Sequence, residues 1–252
     1  ITDKTKIIFP IYMNGRIIEI DKIKSICKKN KLFLVEDSAQ ALGVKYKNKF
    51  VGTFGDIGIF SMSITKLLSS GQGGFLVTNN KKIARNLYMM SRHGYRDVRN
   101  IKAWNKYGGN FKISDLCSAV ATVQLKNFKN ILRKNKENYL YLNKKIKKLK
   151  NFIEPAFIDL KNGEVPLYNE YKVNDRKKLV SFLTKNNVQT RLANPNFERV
   201  KYMKIKRDKL GFKNSTIPER DFLYLPGGPN LKKKEIDKLA YYLNNFYLKK
   251  NN

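Results

Sequence analysis

Apolar and polar positions follow two alternating periods along this chain, and the changes of period mark its elements. Ile7 to Met13 is a short apolar run that ends at Asn14-Gly15, a turn pair. From Ile18 to Lys29 the spacing becomes helical, with Ile20, Ile23 and Ile26 on one side and lysines elsewhere. Leu32 to Val35 is the next apolar strand. Strand, helix and strand thus follow within about thirty residues, the βαβ pattern of a parallel sheet. Such sheets gather ligands at the carboxyl ends of their strands, where Asp37 stands. Val44 to Tyr46 and Phe50 to Gly52 predict a small hairpin around Asn48, and two further strands flank Lys66. Asn80 predicts the cap of a helix running to about Arg92, with Ile83, Leu87 and Met90 inward. A second capped helix is predicted from Ser114 to about Leu132, its apolar stripe being Leu116, Val120 and Val123. The basic stretch from Lys134 to Lys150 predicts its continuation as a long surface helix.

From Asn151 the pattern changes. Pro155, Pro166, Pro195, Pro218, Pro226 and Pro229 all fall in this part, among several short strand and helix candidates. The expected organisation is a larger α/β domain over residues 1–150 and a smaller α+β domain over 151–252. The last helix is predicted from Lys233 to Leu248, with Ile236, Leu239, Leu243 and Phe246 on its apolar side. Residue 1 leads directly into a strand, so the sheet is expected to lack its opening elements.

Composition narrows the class. The 252 residues are 42% hydrophobic and 12% aromatic, which suits a globular chain with a sizeable core. No apolar run has the length of a membrane span, and the first residues show no signal-peptide pattern. Cys27 and Cys117 have neither metal-binding nor redox spacing, so no metal is expected and a reduced, cytoplasmic chain is the simplest reading. The net charge of +32 invites a nucleic-acid reading. The excess is mostly Lys, however, spread along the chain beside many Asn and Ile residues, as an AT-rich genome produces. Bidentate reading of bases or phosphates calls for Arg. A solvated basic surface is expected, with no specific nucleic-acid partner.

The remaining signal is chemical. Lys66 lies in a hydroxyl-rich, glycine-rich turn between the strand candidates at Ile57–Phe60 and Phe75–Thr78. Upstream, Phe33-Leu34-Val35-Glu36-Asp37 ends an apolar strand in carboxylates. Pyridoxal phosphate chemistry needs a lysine to form a Schiff base, and an apolar or cationic setting favours the neutral amine. It also needs a carboxylate at the pyridine nitrogen, hydroxyls and backbone amides for the phosphate, and a flat contact for the ring. Lys66 can supply the first, Asp37 the second and Ser61 part of the third. Alone, Lys66 reads equally as a solvated cation and Asp37 as a capping carboxylate; together they are far more specific.

The segments Glu-Asp-Ser-Ala-Gln-Ala-Leu-Gly (36–43), Gly-Thr-Phe-Gly-Asp-Ile-Gly-Ile-Phe-Ser (52–61), Thr-Lys (65–66) and Gly-Gln-Gly-Gly-Phe-Leu-Val-Thr-Asn (71–79) closely resemble the DegT/StrS family. Arg92-His93-Gly94, Gly108 to Asp115, Gln124-Leu125 and Leu223 to Pro226 extend the resemblance over nearly the whole chain. The family comprises fold-type I, pyridoxal phosphate-dependent sugar aminotransferases. The resemblance implies a mostly parallel, seven-stranded-type sheet, incomplete at its start, followed by a smaller α+β domain. It implies that Lys66 forms the Schiff base, that Asp37 meets the pyridine nitrogen, and that Gln40 sits by the ring's phenolic oxygen. Ala39 would lie against the ring face and Ser61 on the phosphate. Asn110 would reach the phosphate of a neighbouring subunit's cofactor, so a homodimer with shared sites is implied. Read without the family, Gln40 and Asn110 are ordinary polar groups at element ends.

The implied reaction is amination of a nucleotide-linked keto sugar, with glutamate as donor, in surface-polysaccharide, lipopolysaccharide or amino-sugar biosynthesis. Some relatives carry histidine in place of the lysine and run a pyridoxamine-dependent dehydration; Lys66 favours transamination. The segment around Arg191, Asn196 and Arg199 is nevertheless reminiscent of that dehydratase branch, and these residues are candidates for contact with the sugar or nucleotide, with ordinary surface polarity as the alternative. Family members also carry a further N-terminal segment that this sequence does not contain. A non-catalytic, truncated or split homologue needing a separate N-terminal partner is therefore a second reading, and a nucleic-acid-binding module a third.

Overall fold

A computed structural model of the chain describes residues 1–100, 102, 104, 106–194, 200, 202, 217 and 220–248. They form two compact units, residues 1–132 with 159–167, and residues 133–158 with 168–252. The chain passes from the first to the second within a helix, after Leu132.

The first unit is built on β1 (Ile7–Ile8), β2 (Phe33–Asp37), β5 (Ile57–Ser61) and β6 (Gly74–Val77), hydrogen-bonded in that order. β1 and β2 are parallel, as are β2 and β5; β6 closes the edge antiparallel to β5. The parallel pairs follow from α1 (Ile20–Lys29), which carries the chain back across the sheet. Its buried positions are Ile20 and Cys27, packed around Leu34, with Ile23 partly buried. Ile26, expected beside them, is exposed. Residues 20, 23 and 27 lie on one side of a helix, and 26 falls about a quarter-turn away.

The apolar run to Met13 pairs regularly only at Ile7 and Ile8, with one further parallel bridge from Ile11 to Asp37. Pro10 has no N–H to give to a ladder. A single 3-10 turn, Met13–Gly15, follows, with Asn14 at φ 53° and Gly15 at φ 73°. A Cβ on Gly15 would stand 1.8 Å from the Val165 carbonyl oxygen, so only glycine fits there. The predicted hairpin consists of β3 (Lys45–Tyr46) and β4 (Lys49–Phe50). Its two turn residues, Lys47 and Asn48, both have positive φ, as a type I′ turn requires.

α2 (Lys81–Met90) starts where the cap predicts: the Asn80 side chain accepts the Lys82 and Ile83 N–H groups. Met89 is buried and Met90 exposed, the reverse of the expected inward position at Met90. The single helix expected from Ser114 to Leu132 is two, α3 (Asp115–Lys126) and α4 (Phe128–Lys145), separated at Asn127. Asn127 has left helical geometry, at φ −95° and ψ 4°. Leu116, Val120 and Val123, the expected inward stripe of α3, are 77%, 42% and 67% exposed. α4 is no plain surface helix either: Ile131, Asn135, Tyr139 and Leu142 are buried along it, and a 3-10 turn (Lys147–Leu149) ends the basic stretch.

The residues 159–167 rejoin the first unit through Glu164, which is buried. Its Oε1 accepts the Ile17 N–H at 2.7 Å and its Oε2 the Asp159 N–H at 2.6 Å. Val165 then packs with Tyr12, Ala41, Val44 and Val51.

The second unit holds an antiparallel sheet of β7 (Ile153–Pro155), β8 (Asn169–Val173), β9 (Arg191–Leu192) and β10 (Phe222–Leu225), in the spatial order 7-8-10-9. α5 (Arg176–Lys185) and α6 (Lys233–Leu248) complete it. Tyr171, Leu179, Leu183, Leu223 and Leu243 are fully buried in one core. The predicted apolar side of α6 is the side that is buried: Ile236, Leu239, Leu243 and Phe246 all join this core. Each such side chain contributes about 1.5–3 kcal/mol when buried. No described helix is long and apolar enough to cross a membrane.

Candidate functional site

The site grows from the carboxyl ends of β2 and β5, which lie side by side with Asp37 opposite Ile59. Asp37 is held by backbone on both sides. Its N–H donates to Pro10 O at 2.9 Å, and its carbonyl accepts the Tyr12 N–H at 3.0 Å. Its side-chain Oδ1 accepts the Ala39 N–H at 3.0 Å, which turns the chain sharply over the strand end. The Ser38 N–H donates to Ile59 O and the Ala41 N–H to Ser38 O, both at 2.9 Å, so residues 37–41 form a fixed rim.

β5 runs into the loop that carries Lys66. The Met62 N–H donates to Gly73 O, and the Ser70 N–H to Met62 O, both at 2.9 Å, closing the neck of the loop. The Ser70 O–H donates to Gln72 O at 2.6 Å. Gly73, at φ 123°, permits the return into β6. Inside the loop the Lys66 N–H donates to Ser63 O at 3.0 Å, and Lys66 is half-buried. The Ser61 Oγ accepts the Ser63 N–H at 3.3 Å.

These two rims enclose a small cleft walled by Ala39, Gln40, Ser61, Lys66, Leu67 and Leu167, among others. Four residues singled out from sequence therefore meet in one place. Asp37 is not one of the walls; it stands at the strand end two residues before Ala39. Asn110 is exposed, on a single antiparallel bridge to Arg92, and does not line the cleft. Arg191 belongs to the second unit. Asn196 and Arg199 lie outside the described residues.

Gln40 has a defined orientation. Its Oε1 accepts the Asn14 backbone N–H at 2.9 Å, and an N–H can only donate, so the amide NH2 is the free end. The cleft walls thus carry an amine, a hydroxyl and an amide donor, and the Asp37 carboxylate is bonded to the N–H of Ala39, another wall residue. That donor set fits pyridoxal phosphate, whose aldehyde, phosphate and ring oxygen require those groups. Among the described residues no three His, Cys, Asp or Glu side chains stand close enough to hold a metal ion.

Two residues beneath the rim were missed in the sequence. Glu36 is fully buried, and its carboxylate accepts four hydrogen bonds. Oε2 accepts the Tyr12 O–H at 2.6 Å and the Gly52 N–H at 2.9 Å; Oε1 accepts the Phe54 and Gly55 N–H groups, each at 2.6 Å. Tyr12 is equally buried, and burial, followed by its bond to Glu36, pushes its hydroxyl pKa well above the ordinary tyrosine value. A signal existed: strand alternation puts Glu36 on the same face as Leu34, and an acid on a core face must find donors.

In the second unit, the Arg191 guanidinium lies 5.6 Å from the Tyr168 ring centre and 5.5 Å from that of Tyr224, and it donates to Asn194 Oδ1 at 3.1 Å. Gln189, Thr190 and Pro226 line the same hollow. A cation stacked on two rings is held in place while keeping an open edge.

The family model described as the DegT/DnrJ/EryC1/StrS aminotransferase family matches residues 1–244. A GDP-perosamine synthase of Escherichia coli O157:H7 is 34% identical over 138 residues, covering 54% of this chain and 37% of that protein. Among solved structures, the Helicobacter pylori aminotransferase PseC, involved in the biosynthesis of pseudoaminic acid, superposes with a TM-score of 0.87 at 23% identity, over 96% of this chain and 67% of its own. The Escherichia coli GDP-4-keto-6-deoxy-D-mannose-3-dehydratase, solved with bound hydrated PLP, gives a TM-score of 0.80 at 22% identity, over 96% and 68%. The chain spans only part of the curated relatives it matches, 61% of a Methanocaldococcus jannaschii protein and 37% of the perosamine synthase.

Proposed function

We propose, for a chain that belongs to the DegT/DnrJ/EryC1/StrS aminotransferase family, that it transfers an amino group to a nucleotide-linked keto sugar, using pyridoxal phosphate bound in the cleft of the first unit. The observation that carries this reading is the convergence of Ala39, Gln40, Ser61 and Lys66 on one cleft beside Asp37. Pyridoxal phosphate supplies an electron sink that stabilises negative charge on the carbon bearing the amine. Lys66 Nζ would hold the cofactor at its aldehyde, and the same amine would serve as the proton carrier of the reaction. Asp37, whose carboxylate is positioned by the Ala39 N–H, would hold the ring nitrogen in its protonated form. The Gln40 NH2 would donate to the ring oxygen, Ala39 would pack on the ring face, and the Ser61 hydroxyl would bind phosphate.

In this reading the expected cofactor-binding domain (residues 1–150) corresponds to the first unit, residues 1–132 with 159–167, and the expected smaller domain (151–252) to the second, residues 133–158 with 168–252. The exposed position of Asn110 suits a contact with the phosphate in a second copy's site, so the working enzyme is a homodimer. Arg191, stacked and solvent-facing, contributes to holding the sugar nucleotide; Asn196 and Arg199, close to it in sequence, are proposed with it. Glutamate is the donor, and amino sugars for surface polysaccharide are the product. The nucleotide-sugar class is supported by the perosamine synthase relative. Two free cysteines suit a cytoplasmic location.

The test is direct. Pyridoxal phosphate added to the purified protein should give a visible absorption band that borohydride removes, leaving the added mass on the peptide containing Lys66. Lys66→Ala should show neither. An unchanged band in Lys66→Ala would refute the assignment. A second reading, sugar dehydration, is favoured by the likeness to the dehydratase structure. Incubation with a GDP-linked 4-keto sugar and glutamate separates the two: transamination yields an amino sugar, dehydration a deoxy keto sugar.

A further inference from the structure

We infer that Tyr12 and Glu36 are positioning residues that set Asp37 and Gln40 in their places through one shared turn, an inference that rests on the cofactor reading above. Neither side chain lines the cleft. Tyr12 is tied to the site's frame at three points. Its O–H donates to Glu36 Oε2 at 2.6 Å, its N–H donates to Asp37 O at 3.0 Å, and its carbonyl accepts the Gly15 N–H at 3.3 Å. Glu36 in turn is anchored by the Gly52, Phe54 and Gly55 N–H groups, so it is a rigid post rather than a mobile acid.

The segment held by this post makes the contacts that matter to the cleft. Pro10 O accepts the Asp37 N–H, and the Asn14 N–H donates to Gln40 Oε1. Asn14 is itself buried and in the left-handed region, and Gly15 next to it packs against the Val165 carbonyl. The turn therefore has no room to move toward residues 163–167, and the Tyr12–Glu36 bond keeps it from moving outward. Carboxylate and amide, proposed to meet the nitrogen and the oxygen of one ring, are spaced by one backbone turn instead of by their own rotamers. Preset spacing of this kind reduces the ordering cost of binding.

The test uses the full chain with Tyr12→Phe, which removes the O–H and keeps the ring. In the cofactor-free protein, amide hydrogen exchange at Asn14 and Asp37 is expected to accelerate about tenfold or more, with Leu223 in the second unit unchanged. The dissociation constant for pyridoxal phosphate, read from its visible band, is expected to rise about tenfold at fixed pH. Asn80→Ala, a helix-cap variant remote from the turn, is the control for general loss of stability. Exchange and affinity in Tyr12→Phe no different from those in Asn80→Ala would overturn the proposal. Should Tyr12→Phe fail to fold, Glu36→Gln, which keeps one acceptor oxygen, is read against the same criteria. A parent protein that gives no band at all would end the cofactor reading, and the exchange at Asn14 and Asp37 would still decide whether the pair positions the turn.

Discussion

Gln40 accepts the Asn14 N–H through its side-chain carbonyl at 2.9 Å, which commits the other end of the amide to donation. Gln40→Glu keeps an acceptor for Asn14 and replaces the donor by a second carboxylate oxygen. Thermal stability should change little, while affinity for pyridoxal phosphate falls by about 1–3 kcal/mol through the lost donor. Titration of the visible band measures it. Affinity equal to the parent's would show that the amide does not face the ring oxygen.

Ser38 lies between Asp37 and Ala39 with its hydroxyl buried, and among the described residues that oxygen has no hydrogen-bond partner. Ser38→Ala removes an unsatisfied polar atom without opening a sizeable void. Stability in urea is expected to stay level or to rise by up to about 1 kcal/mol. A loss of that size would point to a partner for the hydroxyl.

Gly58, in the middle of β5, passes so close to the 52–55 loop that a Cβ would stand 1.8 Å from the Gly52 carbonyl oxygen. Gly58→Ala should therefore separate loop from strand and cost about 3 kcal/mol in equilibrium unfolding. The loop carries the Gly52, Phe54 and Gly55 N–H groups that hold Glu36, so cofactor affinity should fall with stability. Undiminished affinity in a destabilised Gly58→Ala would separate the two.

Much of this fold was legible, and the exceptions share a cause. The Asn80 cap, the turn at Asn48 and the inward face of α6 depend on local residue chemistry, which a sequence displays. Leu116, Val120 and Val123 were correctly grouped as one side of a helix, yet that side is exposed here. Periodicity tells which positions share a face and says nothing of what covers it. Within the site, Lys66 and Ser61 stand out by their own chemistry and setting, whereas Gln40 and Ala39 are reached only through the family resemblance; all four line one cleft. Glu36 and Glu164 were not found, because most of the donors that hold them are backbone N–H groups, several from distant segments, and every residue but proline has one of those.

The alkaline limb of stability has a defined sign. Burial raises the hydroxyl pKa of Tyr171 and Tyr247 above the ordinary value of about 10, helped at Tyr247 by the nearby Asp175 charge. A group whose folded pKa is raised contributes stability below its unfolded pKa and loses it as pH rises beyond. Unfolding should therefore become easier above about pH 10, with the exposed tyrosines ionising first and the phenolate absorbance of the buried ones appearing only with loss of structure. Tyr247→Phe also removes the O–H that donates to Asn174 O at 2.8 Å, and should flatten that limb. A limb as steep as the parent's would place the sensitivity in another group.

The bond between the Ile17 N–H and Glu164 imposes an order in time. Its partners are 147 residues apart in the chain. At ordinary rates of synthesis, about 5–20 residues per second, Ile17 is added to the chain roughly 7 to 30 s before Glu164. During that interval the turn at Asn14 has neither the Glu164 carboxylate nor the Val165 carbonyl against it. The cleft wall that Leu167 supplies comes later still. The nascent first unit must wait for its last strap, and the cofactor pocket becomes complete only after much of the second unit's first helix and strand has already been synthesised.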